Sequence, residues 1–441
     1  MIEYLELTDV GPAEHMRLDF APRLNILTGD NGLGKTFVLD VVWWALTGTW
    51  ASYEQAWPRA LGVGEPRVQW GLGVDDKSWP GQCFWFHHRA QSWLARPDPE
   101  RRPDNDLWRL NAPHMANLEA PFAPGLVLYV RADHAFAVWD DARNWPSPKF
   151  PDRPESYRFT RNQLWYGLSD EQSGPSPQRT LCNGLMRDWV TWQNRKGEEF
   201  AALKAVLRFL SPSPDEPLVP GEPTRLRADD ALDIPTLVMP YGSLPITLAP
   251  AGVERILHVA YLLVWAWIEH KRIAPQEPGP ARNMTFLVDE LDLHLHPQWQ
   301  RRILPALLEA AKVLRPDMEV QVITTTHSPL VLASAEGLFD PKIDALIDFD
   351  LVDGQVEVKR LDWRPHGDAC RWLTSEVFGL PTPGNLPREQ AIEAAMAVTR
   401  DPSAPLERVA AAHNQLREHL TDLDPIWPRW LIYAREKGLD V

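Results

Sequence analysis

Gly29-Asp30-Asn31-Gly32-Leu33-Gly34-Lys35-Thr36 decides how this chain is read. The octet fits G-x-x-x-x-G-K-[ST] in full. It follows a short, mostly apolar run, Leu24 to Thr28, and precedes Phe37 to Leu46, which is apolar on most faces. Strand, glycine-rich turn and helix in that order make a phosphate-binding loop. The glycines let the backbone curl until its N–H groups converge, and the helix N-terminus adds positive potential there. Lys35 is suited to bridge β- and γ-phosphates, and the Thr36 hydroxyl to hold Mg2+. All eight residues from Gly29 to Thr36 are therefore candidate nucleotide contacts.

Far downstream, Phe286-Leu287-Val288-Asp289-Glu290 is an apolar strand that ends in two carboxylates. Ligands gather at the carboxyl ends of parallel strands, so Asp289 is expected beside the phosphate loop as a second Mg2+ ligand. Glu290 is the candidate to polarise an attacking water, a role that requires hydrogen-bond reach. Thr324-Thr325-Thr326-His327-Ser328-Pro329 ends another β-branched strand. It should deliver His327 to the same sheet edge, where an imidazole can hydrogen-bond a γ-phosphate. His294 and His296 alternate with leucine, but no third ligand accompanies them. They read as loop and interface residues.

Taken in order, three stretches resemble a known family. They are Gly29-x-Asn31-Gly32-x-Gly34-Lys35-Thr36, Asp289-Glu290-Leu291-Asp292-Leu293-His294-Leu295-His296-Pro297, and Thr326-His327-Ser328-Pro329. They resemble the ABC-type ATPases of the SMC/Rad50/OLD group, and especially the small prokaryotic phage-defence ATPases of the Septu type. The resemblance covers residues 1–145 and 235–350. It implies that ATP and Mg2+ are bound between two heads arranged head to tail. One head supplies the phosphate loop, the acidic strand and a switch His, here His327. The other supplies a signature loop at the start of a helix. The matching stretch is Leu248-Ala249-Pro250-Ala251-Gly252-Val253-Glu254-Arg255, in which Gly252 falls on the family glycine and would act in trans. Pro250 stands where the family usually has Ser, which removes a hydroxyl donor and a backbone N–H together. Slow hydrolysis, or ATP acting mainly as a clamp, would follow. Asp292 matches the family's D-loop and would contact the partner head. For the Q-loop glutamine, Gln55, Gln69 and Gln82 all qualify. The implied partners are a homodimer or higher oligomer through the heads, a separate effector with a nuclease as the leading class, and DNA or a phage-derived trigger.

The composition is compatible with this. Among 441 residues, 45 Lys and Arg face 60 Asp and Glu, a formal net charge of −15. Such a surface argues against non-specific coating of nucleic acid, though not against a local basic groove. The pairs Arg101-Arg102, Lys271-Arg272 and Arg301-Arg302 are short and mixed with acids, and read as solvated surface. Hydrophobic residues make up 44% of the chain, enough for a large core and too many for wholesale disorder. The 42 prolines point to stiff connectors. Cys83, Cys182 and Cys370 lie far apart with no CxxC spacing, as expected of a reducing, cytoplasmic setting. Met1-Ile2-Glu3-Tyr4 begins as a strand, without the basic and apolar regions of an export signal. The most apolar run, Ile256 to Ile268, falls short of the ~20 residues of a spanning helix and reads as a core helix, so no membrane partner is expected.

The expected class is α/β: an ABC-type P-loop ATPase head with a mostly parallel core sheet, an N-terminal antiparallel β portion and a helical insertion. Residues 1–145 would form the N-terminal lobe with the phosphate loop. Residues 146–235 would form a helical, Pro-rich insertion. Residues 236–360 would form the C-terminal lobe with the signature-like, acidic and switch-His motifs, and 361–441 a C-terminal helical extension. A single helix is expected across 181–210, another over 253–270 and another over 297–314. The insertion is too short and too Pro-rich for an SMC coiled coil. There is no toprim or HNH pattern, and His87-His88 sit in an aromatic strand as packing residues. Nuclease chemistry would then come from another chain. Arg131 to Asp141 reads as a structural ladder rather than a hairpin near the nucleotide. The leading expectation is an ATP-hydrolysing head that dimerises on ATP and governs an effector in an anti-phage or DNA-processing complex. The rival is a nucleotide-binding scaffold with little or no turnover. A transporter's energising subunit fits less well, because the acidic motif is SMC-like.

Overall fold

Ile2–Val10 (β1) and Ala13–Asp19 (β2) each bury one face, Ile2, Leu5, Leu7 and Val10 from the first and Ala13, Met16 and Leu18 from the second, and fold back on each other at Gly11-Pro12. The computed structural model describes residues 1–52, 54–60, 62, 64–74, 77–89, 91–95, 124–144, 153–170, 179–274 and 279–441. The stretch expected as an exposed loop, 96–106, and Arg101-Arg102 lie outside these residues. Leu24–Gly29 (β3) leads into Lys35–Thr47 (α1). Arg67–Val74 (β4), Lys77–His87 (β5) and Ser92–Ala95 (β6) then complete an antiparallel sheet in the order β2-β1-β4-β5-β6. The strand expected at 83–88 thus starts earlier. α1 fills the space between this sheet and the central one. Trp44 stacks on Trp50 at 5.0 Å and meets Trp70 and Phe84 edge-on.

The remaining elements of this unit are Leu126–Val130 (β7), Phe136–Asp140 (β8), Asp141–Asn144 (α2), Tyr157–Phe159 (β9), Arg161–Tyr166 (α3), Leu168–Asp170 (β10), Arg179–Cys182 (β11), Leu185–Arg195 (α4), Glu198–Phe209 (α5), Val219–Thr224 (β12), Ile234–Met239 (β13), Gly242–Pro245 (β14), Ala251–Ile273 (α6), Asn283–Val288 (β15), Pro297–Gln300 (α7), Ile303–Leu314 (α8), Glu319–Thr325 (β16), Pro329–Ala335 (α9), Asp344–Val352 (β17) and Gln355–Leu361 (β18). The central sheet has the order β18-β17-β3-β16-β15-β7-β8-β9. Its five middle strands, β17 to β7, are parallel, with antiparallel strands at both flanks. Two remote stretches of chain therefore interleave in one sheet: β3 lies between β17 and β16, and β7 beside β15. Their strands are apolar along most of their length because layers cover both faces. Gln321, fully buried on β16, ties the sheets together by donating to the Ile2 and Ala21 carbonyls and accepting from the Ile2 N–H.

Two expected helices are broken. Residues 181–210 divide into the end of β11, α4 and α5, because Lys196 turns left-handed at the α4 C-terminus (φ 53) and Gly197 opens α5. Residues 297–314 divide into α7 and α8. Pro305 has no N–H to give the Arg301 carbonyl, so the helix restarts with Pro305 in its first turn. α6 is long and apolar enough to cross a membrane by length and composition, but 94% of its apolar window is buried inside the protein. It is a core helix, apolar on most faces between Ile256 and Ile268, where it is buried.

Residues 366–441 form a separate unit. Its helices are Ala369–Leu373 (α10), Leu386–Thr399 (α11), Leu406–His419 (α12) and Trp427–Glu436 (α13). Val409, Leu416, Ala395 and Trp430 lie in its core, where the Trp430 indole donates to His413 Nδ1 at 3.1 Å.

Candidate active site

β3 ends at Gly29, whose φ of +111° no side chain tolerates well; a Cβ there would lie 2.0 Å from the Phe349 carbonyl oxygen on β17. The chain then curls through 30–34 into α1. Gly34 caps α1 without any side-chain hydrogen bond, so the first-turn N–H groups stay available. Lys35 is 7% exposed, and its Nζ donates to the carbonyls of Gly29 and Asp30, both at 2.7 Å. Burial holds its pKa below the ordinary lysine value, against the pull of Asp30 and Asp289. Leu33 differs from its neighbours. Its side chain is buried in the core, so only its backbone can serve the loop.

The acidic strand arrives beside this loop. Thr36 Oγ1 donates to Asp289 Oδ2 at 2.9 Å, and Thr325 Oγ1 donates to Asp289 Oδ1 at 2.8 Å. Thr325 also accepts the Glu290 N–H at 2.7 Å, so one hydroxyl locates both acids. Glu290 is left-handed, with φ +48°. His327 lies one turn beyond, half-buried. Its pKa is held below the usual histidine value by burial and then by Lys35. Asn31, Gly32 and Gly34 of the loop line one cavity of about 450 Å³ with Lys35, Thr36, Phe37, Asp289, Glu290, Thr325 and His327, whereas Gly29, Asp30 and Leu33 do not line it. Asp292 accepts from Thr326 Oγ1 at 2.5 Å and from the His327 N–H at 3.3 Å, so its carboxylate braces the His327 turn within its own chain.

Gly252 is not in this cradle. It lies on α6, where its missing Cβ would stand 2.5 Å from the His294 carbonyl oxygen. The α6 N-terminus borders a second cavity, of about 270 Å³, with His134, Phe136, Arg161, Glu254, Arg255, His258 and His294. Pro250 caps the helix and offers no side-chain acceptor. The His134 and His294 rings stack at 5.2 Å, each on a left-handed backbone. Arg161 grips Glu254 through two hydrogen bonds. The Arg131 hairpin is structural at its base, with Arg131 bound to Asp40 of α1 at 2.9 Å, while its tip supplies His134.

Thr36 Oγ1 and the Asp289 carboxylate are hard oxygen donors side by side at the cavity wall. They suit Mg2+, which takes one or two protein oxygens and otherwise water and phosphate. Among the described residues, Asp140, Asp141 and His270 form another acid–histidine cluster. There His270 Nε2 accepts the Ala281 N–H at 2.8 Å and Nδ1 meets Asp140 at 2.7 Å, so both nitrogens are committed to a structural joint. Of the three glutamines, Gln55 donates to the Gln91 carbonyl and Gln69 to Tyr4, neither of these two lines the phosphate cavity, and the Gln82 side chain lies outside the described residues. Thr325 and Arg255 escaped the sequence reading as site residues. A run of three threonines just before His327 was the available signal for the first.

A family profile described as "AAA domain, putative AbiEii toxin, Type IV TA system" matches residues 138–333, a span that holds α6, Asp289, Glu290 and His327. The "Retron Ec83 probable ATPase" of Escherichia coli is 51% identical over 45 residues, 10% of this chain and 7% of that protein. "Septu protein PtuA" of Bacillus mycoides is 33% identical over 94 residues, 21% of this chain and 12% of that protein. The chain resembles the SMC/Rad50-like ABC-type ATPases of prokaryotic defence. Its fold is α/β, with a mostly parallel central sheet that carries the phosphate loop after β3 and the acids after β15. The "SMC head domain from Thermotoga maritima" aligns over 82% of this chain and 99% of its own, at 13% identity and a TM-score of 0.41. The aligned segments of the two curated relatives span only 7% and 12% of those proteins.

Proposed function

We propose that this head binds and hydrolyses MgATP at a head-to-tail interface between two copies, and that ATP-dependent dimerisation controls a separate effector. The observation that carries this reading is the convergence of Lys35, Thr36, Asp289, Glu290 and His327 on one cavity, through the Thr36–Asp289–Thr325 hydrogen bonds. The triphosphate lies on the α1 N-terminus, where Lys35 exchanges its two carbonyl partners for phosphate oxygens. Thr36 and Asp289 would hold Mg2+, which would supply positive charge to the phosphates. Glu290 orients a water and takes its proton as the water oxygen bonds to the γ-phosphorus and ADP leaves. His327, kept neutral by burial and by Lys35, donates one N–H to the γ-phosphate. Gly252 and the open first turn of α6 face the neighbour's γ-phosphate, beside Arg161, His134 and His294.

The likeness to a retron ATPase and a Septu protein supports the ATPase class. In this reading the head works in a cytoplasmic defence or DNA-processing complex whose effector is a nuclease on another chain, with DNA or a phage product as trigger. Phosphate release at saturating MgATP tests the core of this reading. Multiple turnover that disappears in Glu290→Gln supports it, and parental turnover in that variant removes Glu290 from its role. Pro250 favours the second reading, a nucleotide-binding scaffold with little turnover, because it leaves the α6 N-terminus without a hydroxyl. Absence of turnover with intact ATP binding would select it.

A further inference from the structure

Two carbonyls in a row normally point to opposite sides of an extended chain. At Asp289 and Glu290 they do not, because Glu290 is left-handed, and helical dihedrals of either hand align successive carbonyls. Both are collected by one group. Arg255 Nη2 donates to the Asp289 carbonyl at 2.7 Å and to the Glu290 carbonyl at 3.1 Å. On the other side of the corner, Thr325 takes both N–H groups: Oγ1 binds Glu290 N, and its carbonyl binds Leu291 N at 2.9 Å. The corner is thus gripped from both sides, and Glu290 projects into the phosphate cavity.

Arg255 comes from the first turns of α6, three residues after Gly252. It is 5% exposed, and among the described residues no carboxylate lies within ion-pair distance of it. A buried guanidinium held by main-chain carbonyls is a costly arrangement, and so is a non-glycine residue in the left-handed region. Such costs gather where geometry serves a function. Gly252 lets the same helix approach within contact of the His294 backbone, so α6 bears on the segment following the acids at two points.

We infer that Arg255 is a positioning residue. It holds the Glu290 corner in its left-handed conformation, and so ties the aim of the catalytic carboxylate to the helix whose N-terminus would meet the neighbouring copy's nucleotide. The kinetic part rests on the ATPase reading above; the structural part does not.

Arg255→Met keeps the bulk and removes the donors. The expected result is a kcat about 100-fold lower with KM for ATP within about twofold, since misplacing a catalytic group by an ångström costs about that much. Arg255→Lys, which restores the charge but not the fork, recovers part of the loss. In the Glu290→Gln background, Arg255→Met should cost no further activity, because the group it positions is already gone. A full additional loss there, or a matched rise in KM, overturns the inference. Amide hydrogen exchange at residues 289–293 in nucleotide-free protein reads the corner directly. It should rise at least tenfold in Arg255→Met, and in Arg255→Lys if the methionine variant does not fold. Unchanged exchange overturns the structural claim even if ATP is never hydrolysed. Raised exchange without wild-type turnover supports that claim and rejects the ATPase reading instead.

Discussion

The Thr36 hydroxyl donates to Asp289 Oδ2 at 2.9 Å, joining residues 253 positions apart. That one bond closes the phosphate loop against the acidic strand end. It works because β3 and β15 are separated only by β16 in the central sheet, so their carboxyl ends open at the same edge.

Glu290→Gln keeps the shape of the side chain and removes its basicity. Turnover should fall at least 100-fold while ATP still binds, leaving a nucleotide-trapped dimer. Light scattering with MgATP should show twice the monomer mass. A monomer with bound ATP would contradict the head-to-tail arrangement.

Thr325→Val is close to isosteric but strips the hydroxyl that serves Asp289 and the Glu290 N–H. Leaving buried groups unpaired costs about 1–3 kcal/mol. Denaturant unfolding should register that loss, and kcat should drop at least tenfold. A neutral outcome on both would mean that water replaces the hydroxyl without penalty.

Gly252→Ala should destabilise although alanine is the better helix former by ~1 kcal/mol. The new methyl would meet the His294 carbonyl oxygen at 2.5 Å, a backbone atom that cannot swing aside. Overpacking costs about 1–3 kcal/mol, so the net effect is a loss. A rise in stability would show that the contact at His294 gives way.

Pro250→Ser tests the second reading. Pro250 already has extended backbone angles, φ −57° and ψ 151°, which suit a serine N-cap. The hydroxyl should raise phosphate release several-fold in the dimer. No change would mean that the missing hydroxyl does not limit turnover.

His258 supplies a pH signature. Burial pushes its pKa down from 6.5 to about 4, with Glu254 opposing and Arg161 adding to the shift. The unfolded chain therefore binds a proton here before the folded one does. Stability from this group is complete above pH 6.5 and is lost as pH falls toward 4, by about 3 kcal/mol in all. In His258→Gln, unfolding measured from pH 7 to 4.5 should show a shallower decline than the parent.

Much of the cradle was legible because its chemistry is local. Gly29 to Thr36 makes its loop from its own glycines, and Asp289, Glu290 and His327 each end an apolar strand, so a sheet edge is their natural address. Leu33 was legible as a loop residue, but its burial in the core depends on the N-terminal sheet above it. The break at Lys196-Gly197 was harder to see, because the apolar periodicity runs on across it while the backbone reverses. The Q-loop choice among Gln55, Gln69 and Gln82 had no local signal.

The amino-acid order by itself determined the phosphate loop, the acidic strand end and the alternation of strands and helices that calls for a parallel sheet, since each follows from the dihedral preferences and periodicity of a few neighbouring residues. Tertiary structure alone decided that Thr325 would serve two acids, that Arg255 would reach under Glu290 from another helix, and that Gly252 would rest on His294. Those contacts join residues dozens of positions apart, and only the packing of finished elements brings them within hydrogen-bond or van der Waals range.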